Sequence, residues 1–109
     1  MNKARRRAIV KIIQMLHKIK SNLCREFSEL SLSQLEEIID EIQCILDEEE
    51  CVRDNIPENL QNGCRYEESE NACDIMGDII SDFDDIDEDC SQEEVLSYIS
   101  NAINMLSYI

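Results

Sequence analysis

Six cysteines, one histidine and 25 acidic side chains are the groups in this 109-residue chain that could do chemistry. The cysteines are Cys24, Cys44, Cys51, Cys64, Cys73 and Cys90, and their number first invites a disulfide framework or a zinc site. No C-x-x-C pair starts a zinc site, and His17, the only histidine, has no cysteine within a helical turn or two. No secretory segment is visible, and the apolar content suffices for a core without cross-links. Reduced, partly buried thiols are therefore the expected state, ahead of disulfides and metal. Cys44 and Cys51 lie two helical turns apart on one stripe, too far for a bridge within a helix.

The acidic runs invite a calcium reading, which their spacing refuses. An EF-hand loop needs alternating ligands, glycine at its sixth position and glutamate at its twelfth. Counted from Asp82, Ile86 falls fifth and Asp87 sixth; counted from Asp85, Cys90 falls sixth and Leu96 twelfth. Phosphate-cradling glycine loops and the G-x-S-x-G elbow are absent. Carboxylate pairs abound, but nothing in the pattern builds a pocket that would drive their pKa values apart. The expectation is a protein that is not an enzyme and holds no metal or cofactor.

Helical periodicity runs almost throughout. Ile9, Ile12, Ile13, Leu16, Ile19, Leu23, Phe27 and Leu30 recur at 3–4 spacing and predict a helix over 3–28. Ser33 with Glu36 fits a capping box, which places a break before a second helix over 33–54. Its stripe is Leu35, Ile38, Ile42, Ile45, Val52 and Ile56, close to a heptad and interrupted by Glu49. Pro57 and Asn62-Gly63 punctuate the chain before a third helix over 65–86. The seam of this third helix is Tyr66, Ser69, Cys73, Met76, Ile80 and Phe83, and Gly77 is read as permitting close packing. Ser91 with Glu94 opens a fourth helix over 92–108, with Val95, Ile99, Ala102, Ile103 and Leu106 inward. The expected fold is a single all-α domain, an antiparallel helical hairpin or small up-and-down bundle of about four helices.

Charge is the most informative feature. Residues 1–30 hold eight basic and two acidic side chains, and residues 31–109 hold two basic and 23 acidic, for a net charge of -15. Acidic surfaces often serve solubility alone, and part of the division could be internal pairing of a basic first helix against an acidic neighbour. Even full pairing of the basic end leaves a strongly anionic surface that repels itself and rewards a cationic partner. Duplex DNA carries one charge per about 1.7 Å, and a helix rises about 1.5 Å per residue. Carboxylates at half of a helix's positions therefore approach the charge density of a nucleic acid. Two clusters are the candidate partner-binding residues: Asp47, Glu48, Glu49 and Glu50, and then Asp82, Asp84, Asp85, Asp87, Glu88 and Asp89. The same field makes direct nucleic-acid binding unexpected, and no apolar run reaches the length of a membrane span.

Several segments resemble small acidic proteins of phages and mobile elements in Firmicutes. They are the opening Met1-Asn2-Lys3-Ala4-Arg5-Arg6-Arg7, the Asp47-Glu48-Glu49-Glu50 run, the turn Asp54-Asn55-Ile56-Pro57-Glu58-Asn59-Leu60-Gln61, and Arg65-Tyr66-Glu67-Glu68-Ser69-Glu70-Asn71-Ala72-Cys73-Asp74. Ser21 to Leu32 and the cysteine positions depart from that pattern. The resemblance implies a cytoplasmic protein of a bacterial host cell and a role against host defence. Its sharpest form is an anti-CRISPR inhibitor whose acidic helices dock on the basic channel of a CRISPR effector nuclease. The competing expectation is a helical adaptor that dimerises, or completes a partner's bundle, through its apolar stripe.

Overall fold

The computed structural model describes residues 3–25, 29–86 and 90–109, with the side chains of 29–31 excepted. It contains four α-helices: α1 (Lys3–Arg25), α2 (Glu29–Asp54), α3 (Cys64–Asp84) and α4 (Gln92–Leu106). No strand occurs among the described residues. A short 3-10 turn, Glu58–Leu60, sits between α2 and α3. Pro57, at φ -55° and ψ 144°, cannot continue a helix and opens this turn. Leu60 N–H then closes on the Pro57 carbonyl at 2.8 Å, and the Gln61 amide donates to the Ile56 carbonyl at 3.4 Å.

Contacts between helix ends fix the topology. Arg5, near the start of α1, reaches Glu49, near the end of α2, and Glu49 accepts from Ser69 near the start of α3. Gln92, at the start of α4, donates to the Leu23 carbonyl at the end of α1. Each neighbour is thus antiparallel to the last. The helices form an up-down-up-down ring in which α1 packs on α2 and α4, and α3 packs on α2 and α4. The resulting rod measures 51 × 24 × 19 Å.

One core serves all four helices. Ile9, Ile12, Leu16, Ile19 and Leu23 of α1 meet Leu35, Ile38, Ile42 and Ile45 of α2, together with Met76, Ile79, Val95, Ile99 and Leu106. None of these stripes could stay exposed without losing about 1.5–3 kcal/mol per large side chain, so the helices exist by packing on one another.

Several boundaries differ from those the spacing predicts. The second helix begins at Glu29 rather than 33, so Ser33 lies inside it and its capping box is not at a terminus. The cause is Leu32, which packs against the core one turn before buried Leu35 and carries the apolar stripe upstream. Residues 26–28, where the first helix was expected to end, lie outside the described residues. The third and fourth helices stop at Asp84 and Leu106, about one turn or less short of the expected ends. In α3 the buried seam contains Ala72 and Ile79, while Ile80 is only half-buried at its edge. Gly77 does not serve close packing: a Cβ added there would meet nothing within 4 Å. The Ser91 cap is present as expected, its hydroxyl accepting from Glu94 N–H at 3.2 Å.

Candidate protein-binding surface

Charge divides by helix. Within α1 there are eight basic residues and no acidic one. α2 carries ten acidic residues against Arg53, and α3 carries seven against Arg65. α2 and α3 are adjacent, so their outward faces form one continuous anionic side of the rod. Arg53 is already paired with Asp54 at 3.2 Å.

The expected contact residues do not all sit on that side. Asp47 and Glu48 are exposed, with Asp47 also accepting from the Gln43 amide at 2.9 Å. Glu50 is half-buried. Glu49 is turned inward with 0% exposure, so it is not available to a partner. It accepts from Arg5 Nε at 2.7 Å and from Ser69 Oγ at 2.8 Å, which satisfies the carboxylate at the junction of α1, α2 and α3. The reason is its period: Ile42, Ile45 and Glu49 follow the same inward stripe, so the apparent break in the heptad is a buried polar position. Arg5 Nη1 also lies 3.9 Å from Glu48.

At the other end of the rod, Asp84 and Asp85 are exposed and Asp82 is half-buried. Asp87, Glu88 and Asp89 lie outside the described residues. The Glu49–Ser69 contact sets the height of α2 against α3 and places Asp82 about 17 Å along the rod from Asp47 at a 1.5 Å rise. The clusters are therefore separate, and other exposed residues join them: Glu36, Glu37, Asp40 and Glu41 on α2, and Asp74 and Asp78 on α3. In the sequence these residues stand singly or in pairs separated by apolar positions rather than in one long acidic run. The anionic field reaches α4 as well. Burial and then the neighbouring Asp85, Cys90, Asp82 and Glu94 raise the Tyr98 phenol above its ordinary pKa.

The thiols divide by exposure. No disulfide joins the six cysteines; Cys24, Cys44, Cys51 and Cys64 are exposed and Cys90, half-buried, donates to the Asp85 carbonyl at 3.5 Å. Cys73 is buried, and its thiol is pushed up to about 11, chiefly by burial and then by Glu49, Glu50 and Asp74 against the opposing pull of Arg53. A thiol held protonated in this way is a weak nucleophile. Among the described residues, no three His, Cys, Asp or Glu side chains are grouped so as to hold a metal ion. A cleft at one end, lined by Arg6, Glu68, Asn71, Ala72, Tyr108 and Ile109, contains neither histidine nor cysteine. No helix is long and apolar enough to cross a membrane among the described residues.

Comparison with known protein families, with curated proteins and with solved structures finds no match to this chain.

Proposed function

We propose that this protein is a non-catalytic inhibitor that lays the anionic side of α2 and α3 into a cationic, nucleic-acid-binding groove of another protein. The target class is a bacterial defence nuclease of the RNA-guided type, which places the inhibitor in the host cytoplasm. The observation that carries this reading is the set of exposed carboxylates along that side, Asp47, Asp40 and Glu36 of α2 beside Asp74, Asp78, Asp84 and Asp85 of α3. At a rise of about 1.5 Å per residue these carboxylates fall about one per 3–4 Å of rod, near the roughly 3.4 Å spacing of phosphates along one strand, and a groove built for phosphates recognises fixed negative charge. The phage-like segments around Asp47–Glu50 and Asp54–Gln61 support the defence setting. The apolar stripes favour this reading over an adaptor that joins a partner's bundle, because Ile38, Ile42 and Phe83 already lie in the chain's own core.

The direct test is inhibition of DNA cleavage by a panel of purified RNA-guided nucleases. Wild-type protein is expected to inhibit at least one, and the triple variant Asp74→Lys, Asp78→Lys, Asp85→Lys to lose at least tenfold in potency while keeping its helical circular dichroism. Equal potency of the folded variant, or no inhibition across the panel, counts against the proposal.

A further inference from the structure

The side of the rod formed by α1 and α2 differs from every other side in carrying strong charge of both signs. Arg5 reaching Glu48 shows which edge of α2 faces α1, and Glu37, Glu41 and Glu48 share that edge at helical spacing. On α1, Arg6 lines the cleft with Tyr108 and Ile109 and so marks the edge toward α4. Around the outer face of α1 from Arg6, Arg7 comes next and Lys11 and Lys18 lie on the side toward α2, and all three are exposed. No carboxylate of the described residues lies within ion-pair distance of these three cations.

We propose that this side is the interface of a symmetric homodimer, in which α1 of each copy lies across α2 of the other. The geometry has no adjustable register. A two-fold axis parallel to the rod leaves every residue at its own height, and the Arg5–Glu49 contact has already fixed those heights within the chain. Residue heights on α1 and α2 therefore run oppositely from that pair. On the α1-facing edge of α2, Arg7 of one copy stands within one residue of the level of Glu48 of the other, Lys18 within one residue of Glu37, and Lys11 within a turn of Glu41. The two-fold repeats each pair. Copies meeting instead through α2 and α3 would set carboxylates against carboxylates.

Size and screening agree with this arrangement. The axis overlaps the rods along their whole 51 Å length, so the opposed charges at all three levels meet at once. At physiological salt the Debye length is about 8 Å, so the net charge of -15 on each copy is largely screened while opposed side chains still act. The interface goes beyond the proposed inhibition and does not depend on it. The dimer covers the α1-facing edge of α2 and leaves the α3 carboxylates open.

Sedimentation equilibrium of the full chain from about 5 to 500 µM in 0.15 M salt tests the proposal. The expected result is a reversible rise from 12.7 kDa to twice that mass. Arg7→Glu with Lys18→Glu, and separately Glu37→Lys with Glu41→Lys, are each expected to weaken the dimer at least tenfold. Mixing the two variants is expected to restore association as a heterodimer, which also shows that both are folded. A wild-type chain that stays monomeric, with these charges paired only within the molecule, overturns the proposal. So does a dimer that is indifferent to the charge swaps. Anisotropy with a labelled 20-base-pair duplex completes the test: binding through the α1 cations by a monomeric chain overturns the dimer and assigns that edge to a polyanion.

Discussion

Arg5, Glu49 and Ser69 hold three helices at one height, and the energetics of that site are asymmetric. Deleting Arg5 strands a buried carboxylate, which typically costs about 3–5 kcal/mol, whereas replacing both ions with apolar residues is often neutral. Arg5→Ala is therefore expected to destabilise by about 3 kcal/mol or more in urea unfolding, and Arg5→Leu with Glu49→Leu to stay within about 1 kcal/mol of wild type. Cys73 supplies a second test at this scale. Its thiol ionises near 9 when unfolded but near 11 when folded, so between those values the unfolded state binds fewer protons. Stability from this group is intact below pH 9 and falls toward pH 11, by at most about 1.4 kcal/mol per pH unit. Unfolding of wild type and Cys73→Ala from pH 8 to 11 should show the steeper decline in wild type. The polar site was half legible in the sequence: Ser69 falls on the α3 seam and Glu49 on the α2 stripe. Residue type alone made Glu49 look like a surface contact, because its cation stands 44 positions away in sequence on another helix.

Helix type and order were legible because the 3–4 spacing of Ile9 to Leu23 and Leu35 to Ile45 dictates which faces must meet. Boundaries were less so. A serine followed three positions later by glutamate marks a helix start only where the chain upstream is free to leave the helix, and Leu32 prevents that at Ser33. At Ser91 no buried apolar residue competes, and the cap forms. Ser91→Ala is accordingly expected to cost about 1 kcal/mol, while Ser33→Ala should change stability by less than about 0.5 kcal/mol. Thermal melts of the two variants separate a true cap from a sequence that only resembles one. Gly77 has open space where a Cβ would stand, so Gly77→Ala is expected to raise stability by about 0.5–1 kcal/mol in the same melts. A destabilised Gly77→Ala would mean that the helix needs the glycine for a contact absent from the free chain.

At the scale of the whole molecule, the division of charge along the sequence becomes a division across the rod. It is sharper than composition suggests, because α1 is wholly basic on its charged face and α2 and α3 are almost wholly acidic. Arg5 crosses from one domain of charge to reach Glu48 and Glu49. That contact takes up Glu49 and only brushes Glu48, so it leaves the exposed carboxylates of Asp40, Asp74, Asp78, Asp84 and Asp85 un-neutralised. Sequence reasoning could give the excess charge but not its availability, which depends on which carboxylates the packing turns inward. The most direct measurement is capture of a host-lysate protein on the immobilised chain, challenged with duplex DNA. A nucleic-acid-binding protein should be retained, released by the duplex, and lost when Asp74, Asp78 and Asp85 are reversed to lysine. Retention that neither the duplex nor charge reversal disturbs would contradict the claim that this face stands in for a nucleic acid.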